Sequence, residues 1–277
     1  MLEINRVYNG DWLKLFTDVE RNSVDLVVTS PPYYNARNYG APQFDTPDSW
    51  ETFCLGILAS CSSCLKDSGV IWWNTGSGYI DNHKMINIFS MVVRAEKELG
   101  LFLIDEIPWI KKSFLPKAYV NRPYAAWEHN FIFARKPLLV RYYVDNVREP
   151  YAESTLQRLK YPVGNLQSND KGEFNNRKMV APNPLGKSPP NYLFLNCDLS
   201  RRNHPAPMTP ELANWAIRAY SKKGDLVLDP MCGIGTTLIE AKKLERNYLG
   251  VDLNAEYCEE AVKCLTDAST QIGREEL

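Results

Sequence analysis

The sequence predicts an α/β fold with a largely parallel sheet. Three apolar runs of strand length, 24–28, 226–228 and 248–251, each end in residues that stop a strand. The first ends in Thr29-Ser30-Pro31-Pro32-Tyr33-Tyr34, the second in Asp229-Pro230-Met231-Cys232-Gly233-Ile234-Gly235, and the third in Asp252. Helical spacing intervenes between strands, which is the pattern of a parallel sheet with helical crossovers.

Taken in order, Ile4, Val7 and Tyr8 before Asn9-Gly10 predict a strand and turn, and Asp11 suits the cap of a helix from Trp12. After 24–28, Pro31-Pro32 hold the chain extended. Such a rigid loop lies where open α/β sheets bind ligands. Residues 35–47 are polar and turn-rich, and Arg37 there is a candidate phosphate contact or a solvated surface residue. A helix is expected over 48–66, a turn at 67–69, and a strand from Val70 to the polar end Asn74-Thr75-Gly76. Helical spacing over 84–99 precedes Gly100, a suitable C-terminal cap.

Strands are then expected over 101–111 and, antiparallel to it, 127–136. The loop between them interleaves Lys111, Lys112, Lys117 and Arg122 with Phe114, Tyr119 and Tyr124, which suits phosphate contact and base stacking or a plain exposed loop. Thr209-Pro210 starts a helix running to about 220. Gly233 and Gly235 allow a tight turn and close approach to a ligand, and Thr236 and Thr237 can cap a helix over 236–244. Asp252 can accept from ribose hydroxyls or cap a last helix at 254–268.

The chain has 277 residues and a net charge of −1, so nothing global points to nucleic acid. The balance is uneven, however. Residues 135–202 hold 12 basic and 6 acidic residues, a net of +6, which leaves −7 for the rest. That asymmetry, in a segment rich in Asn and Pro, suits a nucleic-acid-facing insert. The N-terminus is mixed and polar, and no apolar run reaches the ~20 residues of a membrane span. With seven cysteines in no regular framework, a cytoplasmic protein with free thiols is expected. Cys61-x-x-Cys64 has zinc-like spacing without a second pair, so Cys54, Cys61 and Cys64 read as core thiols and no metal is expected. Cys232 does not follow proline, and a cysteine nucleophile is not expected.

Ser30-Pro31-Pro32-Tyr33 and Asp229-Pro230-x-x-Gly233-x-Gly235 together resemble the catalytic and cofactor motifs of the amino-directed DNA methyltransferases. Met231 stands where phenylalanine is usual. The catalytic motif precedes the cofactor motif, the circularly permuted order of the β group. The resemblance covers roughly 1–136 and 200–265 and implies a Rossmann-like, seven-stranded, mixed sheet with helices on both faces.

The resemblance also implies S-adenosyl-L-methionine as cofactor and double-stranded DNA as partner, in a restriction system with a cognate endonuclease. The protein would act as a monomer or homodimer. Ser30, Pro31, Pro32 and Tyr33 would be catalytic. Asp11, Thr29, His204, Pro205, Asp229, Met231, Cys232, Gly233, Gly235, Thr236, Thr237 and Asp252 would bind the cofactor. Asn74, Arg37, Lys111, Lys112, Lys117 and Arg122 would serve the target base or the DNA. Asn74 occupies a place where some relatives have Asp, and an amide cannot take a proton. Ser at the first motif position goes with cytosine N4 as target, Asp or Asn with adenine. Residues 1–136 would form the catalytic half, 137–200 a target-recognition insert, and 201–277 the cofactor half.

Overall fold

The computed structural model describes residues 1–34, 44–80, 84–113, 122–161, 163–164, 177–178, 180–197 and 208–275, with backbone alone at 163–164, 177–178 and 268–275. The strands are β1 (Arg6–Asn9), β2 (Val24–Thr29), β3 (Leu65–Thr75), β4 (Tyr79–Ile80), β5 (Lys84–Met85), β6 (Phe102–Glu106), β7 (Trp109–Lys111), β8 (Trp127–Ala134), β9 (Val163–Gly164), β10 (Arg177–Lys178), β11 (Leu193–Leu195), β12 (Leu226–Asp229) and β13 (Asn247–Asp252). The helices are α1 (Trp12–Leu15), α2 (Pro47–Cys64), α3 (Phe89–Leu99), α4 (Glu153–Leu159), α5 (Pro210–Tyr220), α6 (Thr236–Lys243) and α7 (Ala255–Glu275).

Among the described residues, nine strands form one mixed sheet in the order β1-β13-β12-β2-β3-β8-β7-β11, with β6 also on β8. The first five are mutually parallel, and β8 turns antiparallel against β3, β6 and β7. This is the expected α/β class with two more strands than expected. The extra count has a local cause. The run 101–111 breaks into β6 and β7 around Pro108, which has no N–H to give a ladder. β11 then adds a parallel strand beside β7.

Two apolar layers cover the sheet. One joins Val27, Trp73, Phe131 and Leu249 to α2 and α3 through Leu58, Cys61 and Met91. The other joins Leu26, Trp72, Ile132 and Val227 to α5 and α6 through Ile217 and Leu238. Alternate residues of one strand therefore feed opposite layers, the period-two rule. Cys54, Cys61 and Cys64 lie buried in the first layer as expected of core thiols.

α2 starts with a capping box between Thr46 and Ser49 and Pro47 in its first turn. Gly100 ends α3 in the left-handed conformation, φ 64°. α5 begins at Pro210 without a side-chain bond from Thr209 to the backbone; the Thr209 hydroxyl donates instead to Glu211. α3 starts at Phe89 rather than 84, because Lys84–Met85 pair with Tyr79–Ile80.

The chain divides into two compact units, Met1–Tyr142 with Asn191–Leu277, and Tyr143–Pro190. The smaller unit lies inside the segment expected as an insert, and the flanking residues 193–195 belong to the main sheet. Within the smaller unit, Glu149 and Lys187 pair through backbone and side chains, and Arg148 Nη1 donates to Gly186 O at 3.1 Å.

Candidate active site

A cleft of about 1060 Å³, counted to its open mouth, lies at the strand ends of the larger unit. It is lined by the 30–33 loop, residues 229–234, Thr236 and Thr237, Asp252 to Asn254, Gly10 to Trp12, Phe53, Ile57, Met208 and Tyr257. Parallel β2, β12 and β13 stop at one edge, so residues two hundred positions apart meet there.

The cofactor-motif side is held by Asp229, at the end of β12 and 4% exposed. Its Oδ1 accepts from the Thr29 hydroxyl at 2.8 Å and from Met231 N at 3.2 Å, and Thr237 also hydrogen-bonds it. Burial pushes the Asp229 carboxyl up to about 6, against the pull of these donors. Thr236 and Thr237 do not cap α6: the N-cap is Gly235 and carries no side-chain bond. The reason is that the buried Asp229 needs donors, and Thr237 serves it.

Gly235 has φ 83°, and a Cβ there would lie 2.9 Å from Ala261 Cβ of α7. Its close approach is to that helix. Gly235→Val is therefore expected to cost about 2 kcal/mol or more, from left-handed strain and overpacking. Urea titration of the variant would check this.

Asp252 Oδ2 accepts from Gly233 N at 2.8 Å and Oδ1 from Asn254 N at 2.9 Å. The carboxylate thus caps both segments and retains lone pairs toward the cleft. Burial holds its carboxyl above the usual range. Asp11 caps α1, accepting from Leu13 N at 3.0 Å, and lines the cleft as well. Cys232 is buried, and burial with the nearby Asp229 and Asp252 carboxylates pushes its thiol up. A thiolate is disfavoured there, which argues against a nucleophilic role.

The other wall is built on Ser30 and Tyr33. Trp50 Nε1 of α2 donates to Pro32 O at 2.9 Å and anchors the loop. Ser30 Oγ lies 3.0 Å from Asn74 Oδ1 and 3.2 Å from the Tyr33 hydroxyl. The Tyr33 hydroxyl lies 2.7 Å from Asn74 Oδ1 and 2.9 Å from Glu128 Oε2. Gly76 leaves room for the Tyr33 ring, which a Cβ would meet at 2.8 Å. Tyr34 turns into the core and is 4% exposed.

Asn74 is 1% exposed, and its Nδ2 donates to Asn130 Oδ1 at 3.1 Å and to His129 O at 3.3 Å. Lys111 Nζ pairs with Glu128 Oε1 at 2.5 Å and is largely covered, so its charge is compensated within the protein. Lys112 Nζ lies 5.3 Å from the centre of the Phe194 ring, and the Arg122 guanidinium 3.7 Å from that of Tyr79. Arg37, Lys117, His204 and Pro205 lie outside the described residues.

The sequence reading did not single out Glu128, Asn130, Trp72 or Trp50. A signal was present for two of them. Glu128-His129-Asn130 is a polar triplet opening an otherwise apolar strand.

Residues 24–263 match the N6/N4 DNA methylase family. The type II methyltransferase M1.MboII of Moraxella bovis is 32% identical over 94% of this chain and 96% of its own. Among solved structures, the PvuII DNA methyltransferase, described as cytosine-N4-specific, superposes with TM-score 0.69 at 21% identity, covering 96% of this chain and 91% of its own. The M1.HpyAVI complex with S-adenosylmethionine gives TM-score 0.58 at 20% identity, over 94% and 98%. By the extent of the family match and the identity to M1.MboII, the chain belongs to the N6/N4 DNA methylases, which are S-adenosylmethionine-dependent methyltransferases.

Proposed function

We propose that this methyltransferase acts on the exocyclic amino nitrogen of cytosine, N4, in double-stranded DNA, at a base flipped out of the helix. The observation that carries this reading is that one cleft joins the Ser30–Tyr33 wall to the Asp229–Ile234 turn. An exocyclic amino nitrogen is a poor nucleophile because its lone pair is delocalised into the ring. Acceptors at Ser30 Oγ and the Pro31 carbonyl would bind its two hydrogens and aim the lone pair. Pro31-Pro32 keep those acceptors fixed, which is preorganisation. Tyr33 would stack on the base, and a base in a duplex must be extruded to reach such a pocket.

S-adenosylmethionine supplies an activated methyl when bound, and the residues fit it. Asp252 and Asp11 offer acceptor lone pairs to hydroxyls. Met231, Cys232, Thr236 and the backbone of Gly233 line the same space, and Thr29 holds Asp229 in place. His204 and Pro205 would close over the methionine end, as the family resemblance implies. Segment 137–200 would read the recognition sequence, and Arg37, Lys112, Lys117 and Arg122 would meet DNA.

Such an enzyme would protect cytoplasmic DNA beside a restriction endonuclease, as monomer or homodimer. Ser30 in the motif and the cytosine specificity of the PvuII neighbour favour cytosine over adenine. The test is mass spectrometry of nucleosides from DNA incubated with the protein and labelled cofactor. Label is expected in N4-methylcytosine. Label in N6-methyladenine would move the target to adenine, and protein that binds cofactor but labels no DNA would sink the reading.

A further inference from the structure

We infer that Glu128, acting through Tyr33 and Ser30, is the final acceptor of the proton that the target amino group loses. The inference rests on the amino-methylation reading above.

The argument begins with the fixed direction of one amide. Trp72 Nε1 can only donate, and it donates to Asn130 Oδ1 at 2.9 Å. Asn130 Nδ2 donates to Ile107 O at 2.8 Å, so both ends of that amide are specified. Asn130 Oδ1 then takes the Asn74 Nδ2 donor, and His129 O takes it as well. Asn74 therefore turns its oxygen, never its NH₂, toward Ser30 and Tyr33. It is an acceptor with no capacity to hold a proton as an acid would.

The wall thus presents two pure acceptors, Asn74 Oδ1 and Glu128 Oε2, to two hydroxyls with one proton each. The arrangement that serves both has Ser30 donating to Asn74 and Tyr33 donating to Glu128. Both hydroxyl protons point into the wall, and the Ser30 lone pairs face the cleft. They suit an amino group and oppose a ring carbonyl.

When methyl transfer occurs, the amino nitrogen's electron pair forms the N–C bond and the S–C pair stays on sulfur. One amino proton is then in excess. It passes to Ser30 Oγ once the Ser30 hydroxyl has turned from Asn74 to the Tyr33 oxygen, 3.2 Å away, and given its own proton there. The Tyr33 proton passes to Glu128 Oε2 over 2.9 Å. The products are a neutral methylated base and a neutral Glu128 acid, so charge balances. Lys111 Nζ on Oε1 puts a cation against the carboxylate and leaves Oε2 as the acceptor at the end of the chain. Among the described residues, Lys111 from β7 and Tyr33 from the loop are the titratable groups that contact it. His129, next on β8, is engaged by Glu106 at 2.6 Å.

Glu128→Gln and Tyr33→Phe test this on the duplex that the wild type methylates. Each is expected to lower kcat on the order of 10²-fold, the scale of a lost proton acceptor. The wild type is expected to show kcat rising with pH, and in each variant that limb should flatten, while affinities for cofactor and DNA stay put. The double variant should be no slower than the worse single one, because the two act as one unit. A merely structural role would move KM or folding and leave the pH limb. Wild-type pH profiles in the variants, or losses that multiply, would overturn the relay. If Glu128→Gln fails to fold, Tyr33→Phe decides by the same limb. Absence of amino methylation by the wild type would instead remove the parent reading.

Discussion

Ser30→Ala is expected to lower methyl transfer at least ~10²-fold, the scale of one lost preorganised hydrogen-bonding group at a reacting centre, while cofactor affinity stays near that of the wild type. The separation follows from where the bonds go. Among the described residues, Ser30 Oγ is bonded toward Asn74 and Tyr33 alone, on the proposed target side. Its neighbour Thr29 carries the bond to Asp229 on the proposed cofactor side. The variant leaves Trp50 holding Pro32, so the loop keeps its place, and Tyr33 still reaches Asn74. Single-turnover transfer and calorimetric cofactor binding would measure the two quantities. Equal loss in both would make Ser30 a structural residue.

Asp229→Asn should produce the largest change in stability, and in an unusual direction. The folded carboxyl titrates at about 6, above its ordinary 3.8. A raised value means that the folded state binds the proton more tightly than the unfolded one. The group's contribution is complete below about pH 4 and is lost as pH rises through about 6. Above that, ionised Asp229 costs the fold about 3 kcal/mol, at ~1.4 kcal/mol per unit. The amide keeps an acceptor for Thr29 and Met231 and cannot ionise. The ligand-free variant should thus be more stable than the wild type near pH 8, with the gap closing toward pH 4. Urea midpoints at both pH values would show it. A gap that does not change with pH would mean that Asp229 titrates normally.

The contiguous parts of the site were readable in one dimension. Ser30-Pro31-Pro32-Tyr33 and the Asp229–Gly235 turn owe their form to proline and glycine, whose backbone effects are local. The bounds of α5 were equally plain, since Thr209-Pro210 starts it. What escaped was set across strands. The turn expected at 67–69 is part of β3, where Lys66 reaches Asp25 at 2.7 Å and Arg135 binds Leu65 O and Asp67. No periodicity within 65–69 announces partners forty or seventy residues away. Glu128 and Asn130 escaped for the same reason. Their roles depend on Tyr33, Trp72 and Asn74, brought together only by the pairing of β8 with β3.

The junction of β2 with β12, sealed by Thr29 and Asp229, has a consequence for how the protein is made. Each strand from the first thirty residues takes a neighbour from beyond residue 225, β1 beside β13 and β2 beside β12. A chain growing from the ribosome can shape α2 and the β3–β8 ladder early, yet the middle of its sheet stays open until residue 252 has emerged. Closing so long a loop is slow. Through most of translation the newborn polypeptide leaves the β12-facing edge of β2 unpaired and its 229–235 turn unmade, the kind of exposed strand edge that chaperones protect.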